Sequence, residues 1–567
     1  MFKKPDLILL HPPSIYDFRE RNIFYGPVSD LIPSSPVFEM YPLGFLTIQD
    51  YLEERGHSVR IINLALKMLR NRDLSVREYL AGFSPEIFGI DLHWLPHAHG
   101  SLEIARIIRE EHPDTPIVMG GLSASYFHEE LIEYPQVDYV LRGDCTEEPF
   151  RQLLKMLKNG DESAKELKEI DNLTWKCGGE NRINLLTFNP DDLDYADLSP
   201  HYMVKNVFKY RDFEGVIPYD GWQKNPVTTV FSVKGCTRNC VTCGRSSCSN
   251  EYYNGRSEPI FRSPESLVKN IRELAEFSRG PIFIIGDLRE GGKKYSSEVL
   301  AGISRENIKN EIIFELFEPA SEDFLRQIAK SVESWTLELS PESHSREVRS
   351  AQEAGSSYSN ADMERCFSRA LQLGCSRLDV FFMIGLPRQT PESVQETVDY
   401  CAHLFKKFDD RLSCFISPMG PFLDPASRAF EAPEDLGYRK YATTLEDHRE
   451  MLEKDSWKNI LSYETKWMSR EEIVDQTYIA AEKLNDLKYN HGRIDKRTRD
   501  NVKSRLERVK NIKKSLQENS RKGRNPKKSV DSTSDLNICT VCGNSELLWP
   551  SHLINFKPSG IIKQLLR

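Results

Sequence analysis

The sequence predicts an α/β fold with three parts: an N-terminal doubly wound, Rossmann-like sheet, a partial (β/α)6 TIM-type barrel and a helical C-terminal region. Two observations lead to this prediction. Short apolar runs alternate with helical stretches in residues 1–160, and the same alternation resumes at Val227 after a polar segment. In addition, a chain of 567 residues is too long for one hydrophobic core, so about three domains are expected.

Residues 1–160 are expected to form the first domain, with five parallel strands. Each predicted strand is an apolar run that ends in a polar or glycine-containing loop. The runs are Leu7–Leu10, Val59–Ile62, Ile87–Leu92, Ile117–Met119 and Val137–Leu141. Gly120, Gly121 and Ser123 follow the fourth strand, and Gly143 follows the fifth. Glycine lets the backbone approach a ligand closely, and such sheets bind ligands beyond the carboxyl ends of their strands.

Residues 161–226 are expected to connect the two domains, because the segment is polar and is broken by prolines such as Pro190 and Pro200. Residues 227–445 then predict the barrel. Its six strands are Val227–Val233, Ile282–Ile285, Ile312–Leu316, Thr336–Leu339, Leu378–Ile384 and Cys414–Ile416. Two of the intervening helices are expected to begin at Ser263-Pro264-Glu265 and Thr390-Pro391-Glu392, which combine a cap, a proline and an acid.

Three cysteines stand directly after the first barrel strand with the spacing C-x3-C-x2-C: Cys236, Cys240 and Cys243. One tight loop with this spacing can present three thiolates to three irons of a [4Fe–4S] cluster, which leaves the fourth iron free to bind a small molecule. Gly235 and Gly244 bracket the loop, as close wrapping of the backbone requires. The alternatives are buried free thiols or a zinc site, although zinc sites prefer separated C-x2-C or Cys/His pairs.

This loop resembles the signature of radical S-adenosylmethionine (SAM) enzymes, in which the open iron binds the amine and carboxylate of SAM. The resemblance implies that an electron from the cluster cleaves SAM to methionine and a 5′-deoxyadenosyl radical. Thr242 departs from the family pattern, which often has an aromatic residue there. Cys248, five residues after the triplet, is interpreted as a bystander or substrate-side thiol.

The same resemblance assigns three residues to SAM binding. Asp287 stands after the second barrel strand, in place of the Gly-Gly-Glu element that holds the SAM amine, although the match is loose. Ser340 and Glu342 end the fourth strand in the segment Ser-Pro-Glu-Ser and are expected on the ribose and carboxylate side of SAM. For Glu342, which follows Pro341, a helix-capping or solvated carboxylate is the alternative.

Residues 1–160 resemble the cobalamin (B12)-binding domain that precedes radical SAM domains in fused proteins. The similarity lies in the Pro12-Pro13 loop, the Pro-Leu-Gly helix start at 42–44, the Gly120-Gly121 pair and the Gly-Asp-x-x-Glu turn from Gly143. It implies that the loops after strands four and five hold the nucleotide tail of cobalamin, and it assigns Gly120, Gly121, Ser123 and Gly143 to this role. A flavodoxin-like domain with another ligand, or with none, is the alternative.

Asp91-Leu92-His93 looks like the start of an Asp-x-His-x-x-Gly motif, whose histidine ligates cobalt in the cobalamin enzymes that carry it. Here the glycine is missing, and the segment follows the third strand instead of the first. We therefore expect His93, His97 and His99 to be loop residues near the corrin and not cobalt ligands. The resemblance then implies a cobalt with no protein imidazole on its lower face.

Residues 446–517 predict a helical region, and residues 518–567 predict a flexible basic tail. Apolar residues recur at steps of four and three at Val502, Leu506, Val509, Ile512 and Leu516. Residues 491–530 carry 15 Lys and Arg against 4 Asp and Glu. This basic face indicates either docking of an acidic protein or RNA, or simply a solvated helix face.

The tail also contains Cys539 and Cys542, spaced as half of a zinc knuckle. The second pair is missing from the tail, although His552 follows. Zinc binding is one interpretation, and a dithiol or a plain tail is the other.

Composition narrows the class of protein. An apolar content of 39% and a charged content of 28% are typical of a soluble globular protein. The net charge of −9 argues against a generally nucleic-acid-binding surface. No stretch approaches about 18 uninterrupted apolar residues, so no membrane span is expected, and the N-terminus lacks a secretory signal. The scattered cysteines and a reduced cluster indicate a cytoplasmic, oxygen-poor setting.

Together these features predict a B12-dependent radical SAM enzyme, most simply a C-methyltransferase that acts on an unactivated carbon through a 5′-deoxyadenosyl radical and methylcobalamin. A cobalamin-using rearrangement or cyclisation without methyl transfer is the first alternative. A B12- and cluster-containing sensor without turnover is the second. The family implies a low-potential electron donor such as ferredoxin or flavodoxin. The substrate stays open among a small molecule, a lipid and a protein side chain.

Overall fold

The computed structural model describes residues 4–20, 37–160, 163–353, 358–454, 456–521, 544–549, 552 and 554–566. Two main sheets, one mostly parallel and one fully parallel, each covered by helices, make up most of the described chain. Cys539 and Cys542, the predicted zinc ligands, lie outside the described residues. In the part of the chain that is described, no helix is both long and apolar enough to cross a membrane.

The first sheet has seven strands in the order β2-β1-β3-β4-β5-β6-β7, of which the first five in the chain are parallel. The order reverses between β1 and β3, and doubly wound sheets open a ligand crevice at this point. The strands are β1 (Leu7–His11), β2 (Val59–Asn63), β3 (Ile87–Asp91), β4 (Ile117–Gly120), β5 (Tyr139–Leu141), β6 (Leu173–Cys177) and β7 (Glu180–Ile183).

All five predicted strands of the first domain are present, but the sheet continues past residue 160. Strands β6 and β7 pair antiparallel with β5 and with each other, although they come from the segment expected to be a connector. Strand β7 is exposed along its whole length, so it has no apolar run that would predict a strand. The signal that was available is Gly178-Gly179, where both residues have positive φ, as a two-residue hairpin turn requires.

Helices cover both faces of the first sheet, because neighbouring strand residues point to opposite sides. Ile8 and Leu10 pack into one core, whereas Leu7 and Leu9 pack into the other. The helices are α1 (Gly44–Glu54), α2 (Leu64–Arg70), α3 (Val76–Ala81), α4 (Ala98–Glu111), α5 (Leu122–Tyr126), α6 (His128–Leu131), α7 (Glu147–Asn159) and α8 (Ala164–Lys168).

The second sheet contains six parallel strands in sequential order, as the partial barrel predicts. Its strands are β8 (Thr228–Phe231), β11 (Ile282–Ile285), β12 (Ile312–Leu316), β13 (Trp335–Glu342), β14 (Arg377–Ile384) and β15 (Leu412–Pro418). The intervening β9 (Val233–Lys234) and β10 (Ile260–Phe261) form a short antiparallel pair, as do β16 (Tyr438–Lys440) and β17 (Tyr463–Thr465). Side chains alternate between the helix-covered face and the barrel interior.

The predicted helix starts are confirmed. Ser263 caps the helix that begins at Pro264, and Thr390 forms a capping box with Ser393. The helices are α9 (His201–Tyr210), α10 (Ser247–Asn254), α11 (Pro264–Phe277), α12 (Gly292–Glu306), α13 (Glu322–Ser331), α14 (Arg346–Gln352), α15 (Asn360–Gln372), α16 (Pro391–Lys407), α17 (Arg428–Glu431), α18 (Leu445–Leu452), α19 (Trp457–Ile460), α20 (Arg470–Asn490), α21 (Lys496–Arg521) and α22 (Pro558–Leu566).

Short 3-10 turns complete the secondary structure at Leu95–His97, Glu214–Val216, Leu288–Gly291 and Asn544–Leu547. In the C-terminal region, Val502 and Leu506 of the predicted apolar stripe are buried against Trp457 and Tyr478. The side chains of Val509, Ile512 and Leu516, which continue the stripe, lie outside those described.

The stretch 518–567, expected to be a flexible tail, ends in a docked helix. The Phe556 ring packs against the rings of Trp222 and Phe277 at centroid distances of 5.4 and 5.3 Å. At Gly560, a Cβ atom would come within 2.3 Å of the carbonyl oxygen of Glu276, so α22 lies directly on α11. Local sequence patterns contain little sign of this docking, because the contacts join residues about 280 to 330 positions apart.

Candidate functional site

The cysteine loop begins where β9 ends and carries three free, partly buried thiols, those of Cys236, Cys240 and Cys243. The backbone N–H of Arg238 donates to Cys236 Sγ at 3.4 Å, and the N–H of Arg245 donates to Cys243 Sγ at 3.3 Å. Such donors stabilise the charge of a thiolate. The loop therefore supports two of its three sulfurs in the form that binds iron.

Burial raises the pKa of all three thiols, and for Cys243 it raises the pKa to about 12. For Cys240, the charges of Glu342 and of the other two cysteines add to the rise, which means that the three sulfurs interact with one another. Near pH 7 thiols with raised pKa values stay protonated, and binding of a metal displaces their protons. In the described part of the chain, no three His, Cys, Asp or Glu side chains meet at a single-ion site.

The glycines that bracket the loop fit a tightly wrapped cluster. Gly235 has a φ of +87°, and a Cβ atom on it would lie 2.9 Å from Nδ2 of Asn250. A Cβ atom on Gly244 would lie 2.7 Å from Cβ of Asp424, whose carboxylate accepts the Gly244 N–H at 3.0 Å. Larger residues would push the loop away from its neighbours, so both positions require glycine.

Asp287, the predicted acid for the SAM amine, is only 1% exposed and is already bonded within the protein. Its carboxylate accepts from Arg289 Nη2 at 2.5 Å and from the backbone N–H of Phe317 at 3.1 Å. Glu290, three residues later, lines the cavity described below and pairs with Arg238 at 3.2 Å. Sequence reasoning missed Glu290, although it stands in the same acidic turn.

Ser340 and Glu342 stand near the carboxyl end of β13, where the pairing with β14 shifts register between Leu339 and Glu342, and neither residue lines the cavity described below. Glu342 has a φ of +65°, which is strained for a residue other than glycine, and its Oε2 atom is buried with no hydrogen-bond partner among the described residues. Burial also raises the pKa of Glu342 to about 8. The helix-capping alternative for Glu342 is wrong, because the residue ends a strand and Ser345 caps the helix that follows.

Three of the predicted cobalamin residues line the cavity at the carboxyl ends of β4 and β5: Gly120, Gly121 and Gly143. Gly121 has a φ of +114°, and a Cβ atom on it would lie 2.6 Å from Cα of His93. Gly143 has a φ of +100°. At Gly121 a side chain would collide with the backbone of the His93 loop, so glycine lets the two loops pack together and places their backbone at the cavity wall.

Ser123 is not brought to the cavity wall. It is buried at the start of α5, where its Oγ atom donates to the carbonyl of His93 at 3.1 Å. The hydroxyl that joins the two glycine loops is that of Ser125, which sequence reasoning missed. Ser125 Oγ donates to the carbonyl of Gly121 at 2.7 Å and accepts the N–H of Gly143 at 2.9 Å.

Of the three candidate histidines, His93 lines the cavity. Burial lowers its pKa to about 4, so its ring is neutral near pH 7. His97 and His99 are buried in the domain. His97 Nε2 lies 3.0 Å from the carbonyl oxygen of Phe38, and His99 Nδ1 accepts the N–H of Tyr16 at 3.3 Å.

One cavity of about 880 Å³ joins the two sheets. Its first-domain wall includes Gly121, Gly143 and His93, and its barrel wall includes Cys236 and Cys243. Most of the remaining lining is apolar. Both candidate cofactor sites therefore open into the same cavity.

The cavity continues into the barrel, where three acids lie side by side. Glu315, Glu338 and Asp379 occupy paired positions on β12, β13 and β14. Burial is the main cause that raises their pKa values, to about 7, 8 and 6, and neighbouring carboxylates contribute. Asp379 is balanced by Arg377 at 2.7 Å, whereas Glu315 accepts the N–H of Gly286 at 2.7 Å.

Residues 544–549 form the floor of the barrel at the amino ends of its strands. Arg377, the first residue of β14, stacks over the Trp549 ring at 4.4 Å and donates to the carbonyls of Leu548 and Glu546 at 3.0 and 2.6 Å. Lys488 and Glu546 add an ion pair of 2.5 Å that is almost fully buried. These contacts close the end of the cavity that lies opposite the cysteine loop.

Comparison with protein families finds a match within the segment that contains each of the two sheets. The model of the B12 binding domain matches residues 31–154, and that of the radical SAM superfamily matches residues 230–401. The chain combines a B12-binding domain with a radical SAM domain. The fold class expected from the sequence is therefore confirmed, with the helical C-terminal region following the barrel.

Two characterised proteins resemble parts of the chain. Hopanoid C-3 methylase of Methylococcus capsulatus is 24% identical over 297 residues, which cover 52% of this chain and 51% of that protein. Anaerobic magnesium-protoporphyrin IX monomethyl ester cyclase of Synechocystis sp. is 26% identical over 218 residues, covering 37% and 39%. The chain thus spans about half the length of the first relative and less of the second.

Solved structures share the fold. The methyltransferase TsrM from Kitasatospora setae, with cobalamin and a [4Fe–4S] cluster bound, superposes with a TM-score of 0.54 at 18% identity, covering 77% of this chain and 80% of that chain. The enzyme OxsB, with aqua-cobalamin and SAM bound, gives 0.54 at 14% identity, covering 90% and 72%. At these identities the similarity concerns the fold.

Proposed function

We propose that this chain is a B12-dependent radical SAM enzyme that transfers a methyl group to an unactivated carbon of its substrate. The observation that carries the proposal is the single cavity into which the glycine loops of the first sheet and the cysteine loop of the barrel both open. When bound, the cluster supplies the electron that cleaves SAM and cobalamin carries the methyl group. The TsrM structure of similar fold contains both groups, which supports the same pair here.

In this proposal Cys236, Cys240 and Cys243 hold the cluster. The N–H donors to two of the sulfurs and the close glycines on each side of the loop support this assignment. The charge of Arg238 opposes the effect of burial on two of these thiols, Cys236 and Cys240, because a nearby cation favours the thiolate.

Gly120, Gly121 and Gly143 hold the nucleotide tail of cobalamin in this proposal, and Ser123 contributes through the loop that it fixes. The positive φ angles of Gly121 and Gly143 and the position of all three glycines on the cavity wall support the assignment. His93 faces the same space as a neutral ring. Its role as a corrin neighbour and not a cobalt ligand remains a prediction.

For SAM we propose that Ser340 and Glu342 bind the ribose and carboxylate side. The unpaired, buried oxygen and the strained backbone of Glu342 support this role. Asp287 is proposed to act on the amine side together with Glu290. Asp287 fixes the turn through Arg289, and Glu290 stands at the cavity wall.

The domain boundaries remain a proposal: 1–160 for cobalamin, 161–226 as a connector that adds a hairpin to the first sheet, 227–445 as the radical SAM core, 446–517 as a helical region and 518–567 as the tail. The mostly apolar cavity favours a substrate with a large apolar part, whether lipid or small molecule. We further propose a cytoplasmic, reducing location, with a ferredoxin or flavodoxin as the electron donor. Zinc at Cys539 and Cys542 remains a prediction.

A cobalamin-using cyclisation or rearrangement without methyl transfer is a second candidate, favoured by the 26% identity to the Synechocystis cyclase. A sensor without turnover is a third.

One anaerobic experiment separates the three. The protein, reconstituted with iron, sulfide and cobalamin, is mixed with a low-potential reductant and SAM that carries a deuterated methyl group. Mass spectrometry should find 5′-deoxyadenosine and a labelled methyl group on cobalamin. Deoxyadenosine without label on cobalamin would favour cyclisation, and neither product from protein that has bound both cofactors would favour the sensor.

A further inference from the structure

Asp144 lies one residue after Gly143 in the loop between β5 and α7, and its side chain is only 4% exposed. The carboxylate accepts from Arg256 Nη2 at 2.9 and 3.0 Å and lies 3.7 Å from Arg245 Nη2. Arg245 stands two residues after Cys243, donates its N–H to that sulfur and lines the cavity. One buried carboxylate thus connects the cobalamin loop to the end of the cysteine loop.

The start of the cysteine loop reaches the same segment. Lys234, two residues before Cys236, donates from Nζ to the carbonyl of Asp144 at 2.7 Å and lies 3.3 Å from Oε1 of Glu147. Asn254, on the helix after the cysteine loop, accepts the N–H of Asp144 at 2.8 Å. The cobalamin loop is therefore bound to the cysteine loop on both of its flanks.

The charges at this junction suit a permanent contact. Burial alone would raise the pKa of Asp144, but Arg256, Arg245 and Lys234 lower it below its usual value. The carboxylate therefore stays charged near pH 7 and keeps its cationic partners. Since Lys234 and Arg245 connect both flanks of the cysteine loop to Asp144, movement of one loop is expected to displace the other.

We propose that Asp144 is a positioning residue that fixes the cysteine loop relative to the cobalamin loop, so that cluster loading and cobalamin binding are energetically coupled. This inference rests on the two cofactors of the proposed function but not on methyl transfer. A loaded cluster orders the cysteine loop, and through Asp144 it orders the loop that receives cobalamin. Cobalamin then binds to a loop that has already lost its conformational entropy, and linkage makes the effect reciprocal.

The test is an anaerobic absorbance titration with hydroxocobalamin, performed on protein with and without the reconstituted cluster. The quantity compared is the ratio of the cobalamin Kd without the cluster to the Kd with it. In the wild type this ratio should be at least about five. Asp144→Asn should reduce this ratio to less than about two and should shift the EPR g-values of the reduced cluster. Asp144→Glu keeps the charge, so its ratio and g-values should lie between those of Asp144→Asn and the wild type.

The matched control is Asp212→Asn. Asp212 is also buried between two cations, Arg60 and Lys67, at 2.8 and 2.7 Å, but it lies away from the cavity. This variant should keep the wild-type ratio and g-values. Arg245→Gln, at a half-exposed position, provides a second route if Asp144→Asn fails to fold, and it should also lower the ratio.

The inference is overturned if cobalamin binds the wild type equally well with and without the cluster. It is also overturned if Asp144→Asn keeps the wild-type affinity ratio and g-values. Where Asp144→Asn does not fold, Arg245→Gln is judged by the same criterion. Failure of methyl transfer would leave the titration unaffected, so the two proposals fail separately.

Discussion

The two sheets meet the same cavity by different means. The first sheet presents backbone at Gly121 and Gly143, where glycine lets the loops pack closely against His93 and Asn254 at the cavity wall. The barrel presents charge and sulfur, through the cysteine loop and through acids such as Glu290 and Glu338. A wall of backbone selects a large ligand by shape, whereas a wall of ionisable groups controls electrons and protons. Substitutions in the first sheet should therefore change affinity, and substitutions in the barrel should change chemistry.

The largest effect is expected at the cysteine loop. Cys236→Ala removes the ligand of one iron, so we expect loss of all detectable SAM cleavage together with loss of cluster absorbance. The measurement is 5′-deoxyadenosine formation under anaerobic reduction. Cys248→Ala is the control, because Cys248 is exposed on α10 and its variant should cleave SAM like the wild type. Normal cleavage by Cys236→Ala would contradict the cluster assignment.

On the first-sheet side, Gly121→Ala should weaken cobalamin binding while leaving SAM cleavage possible. The new Cβ atom would lie 2.6 Å from the backbone of His93 at a φ of +114°, so the loop must move; we expect hydroxocobalamin to bind at least about tenfold more weakly.

Gly56→Ala is the matched control for this variant. Gly56 also has positive φ, at +85°, but a Cβ atom on it would have no neighbour within 4 Å among the described residues. If both variants bind cobalamin equally weakly, backbone strain and not the contact with His93 governs binding; if neither is weakened, the assignment of Gly121 to the cobalamin site is contradicted.

The third prediction concerns the buried ion pair at the floor of the barrel. Lys488 and Glu546 form an ion pair of 2.5 Å with side chains 2% and 6% exposed, whereas Lys563 and Glu276 form one of the same length that is 63% and 35% exposed. Lys488→Met removes the cation paired with the buried carboxylate of Glu546 and should cost about 3 kcal/mol of unfolding free energy. Lys563→Met should cost less than about 1 kcal/mol. Chemical denaturation of both variants gives the comparison, and similar losses would contradict the closed floor.

The sequence predicted the local features of both sheets and missed the contacts between them. Apolar runs were sufficient to find each strand of the barrel, and the spacing of Cys236, Cys240 and Cys243 was sufficient to find the loop. The contact of Asp144 with Arg245, and that of Arg377 with Trp549, join residues more than 100 positions apart. The periodicity of apolar residues along the sequence does not predict such pairs, because they depend on how one sheet packs against another segment.

Glu290 illustrates the same limit at short range. Asp287 and Glu290 stand in one turn with similar chemistry, but only the fold decides which of them faces the cavity and which one caps the turn. The hairpin of β6 and β7 was missed for the opposite reason. The residues of β7 are exposed and mostly polar, so the Gly178-Gly179 turn was the main local evidence.

The smallest expected effect concerns the acids inside the barrel. Burial raises the pKa of Glu338 to about 8 from its ordinary value of 4.5. Between pH 4.5 and 8 the folded protein therefore keeps a proton that the unfolded chain has released, so the free energy of unfolding falls as pH rises through this range. Glu338→Gln, which cannot ionise, should flatten this part of the stability profile. Urea denaturation at several pH values measures it.

Glu322→Gln is the control for this profile. Glu322 is exposed, and hydrogen bonds from Arg326 lower its pKa, so both folded and unfolded forms are already largely ionised above about pH 5. Its variant should keep the wild-type slope. If Glu338→Gln also keeps that slope, then Glu338 is ionised inside the barrel at neutral pH. The cavity would then contain a fixed negative charge, which would favour a cationic substrate group over a neutral one.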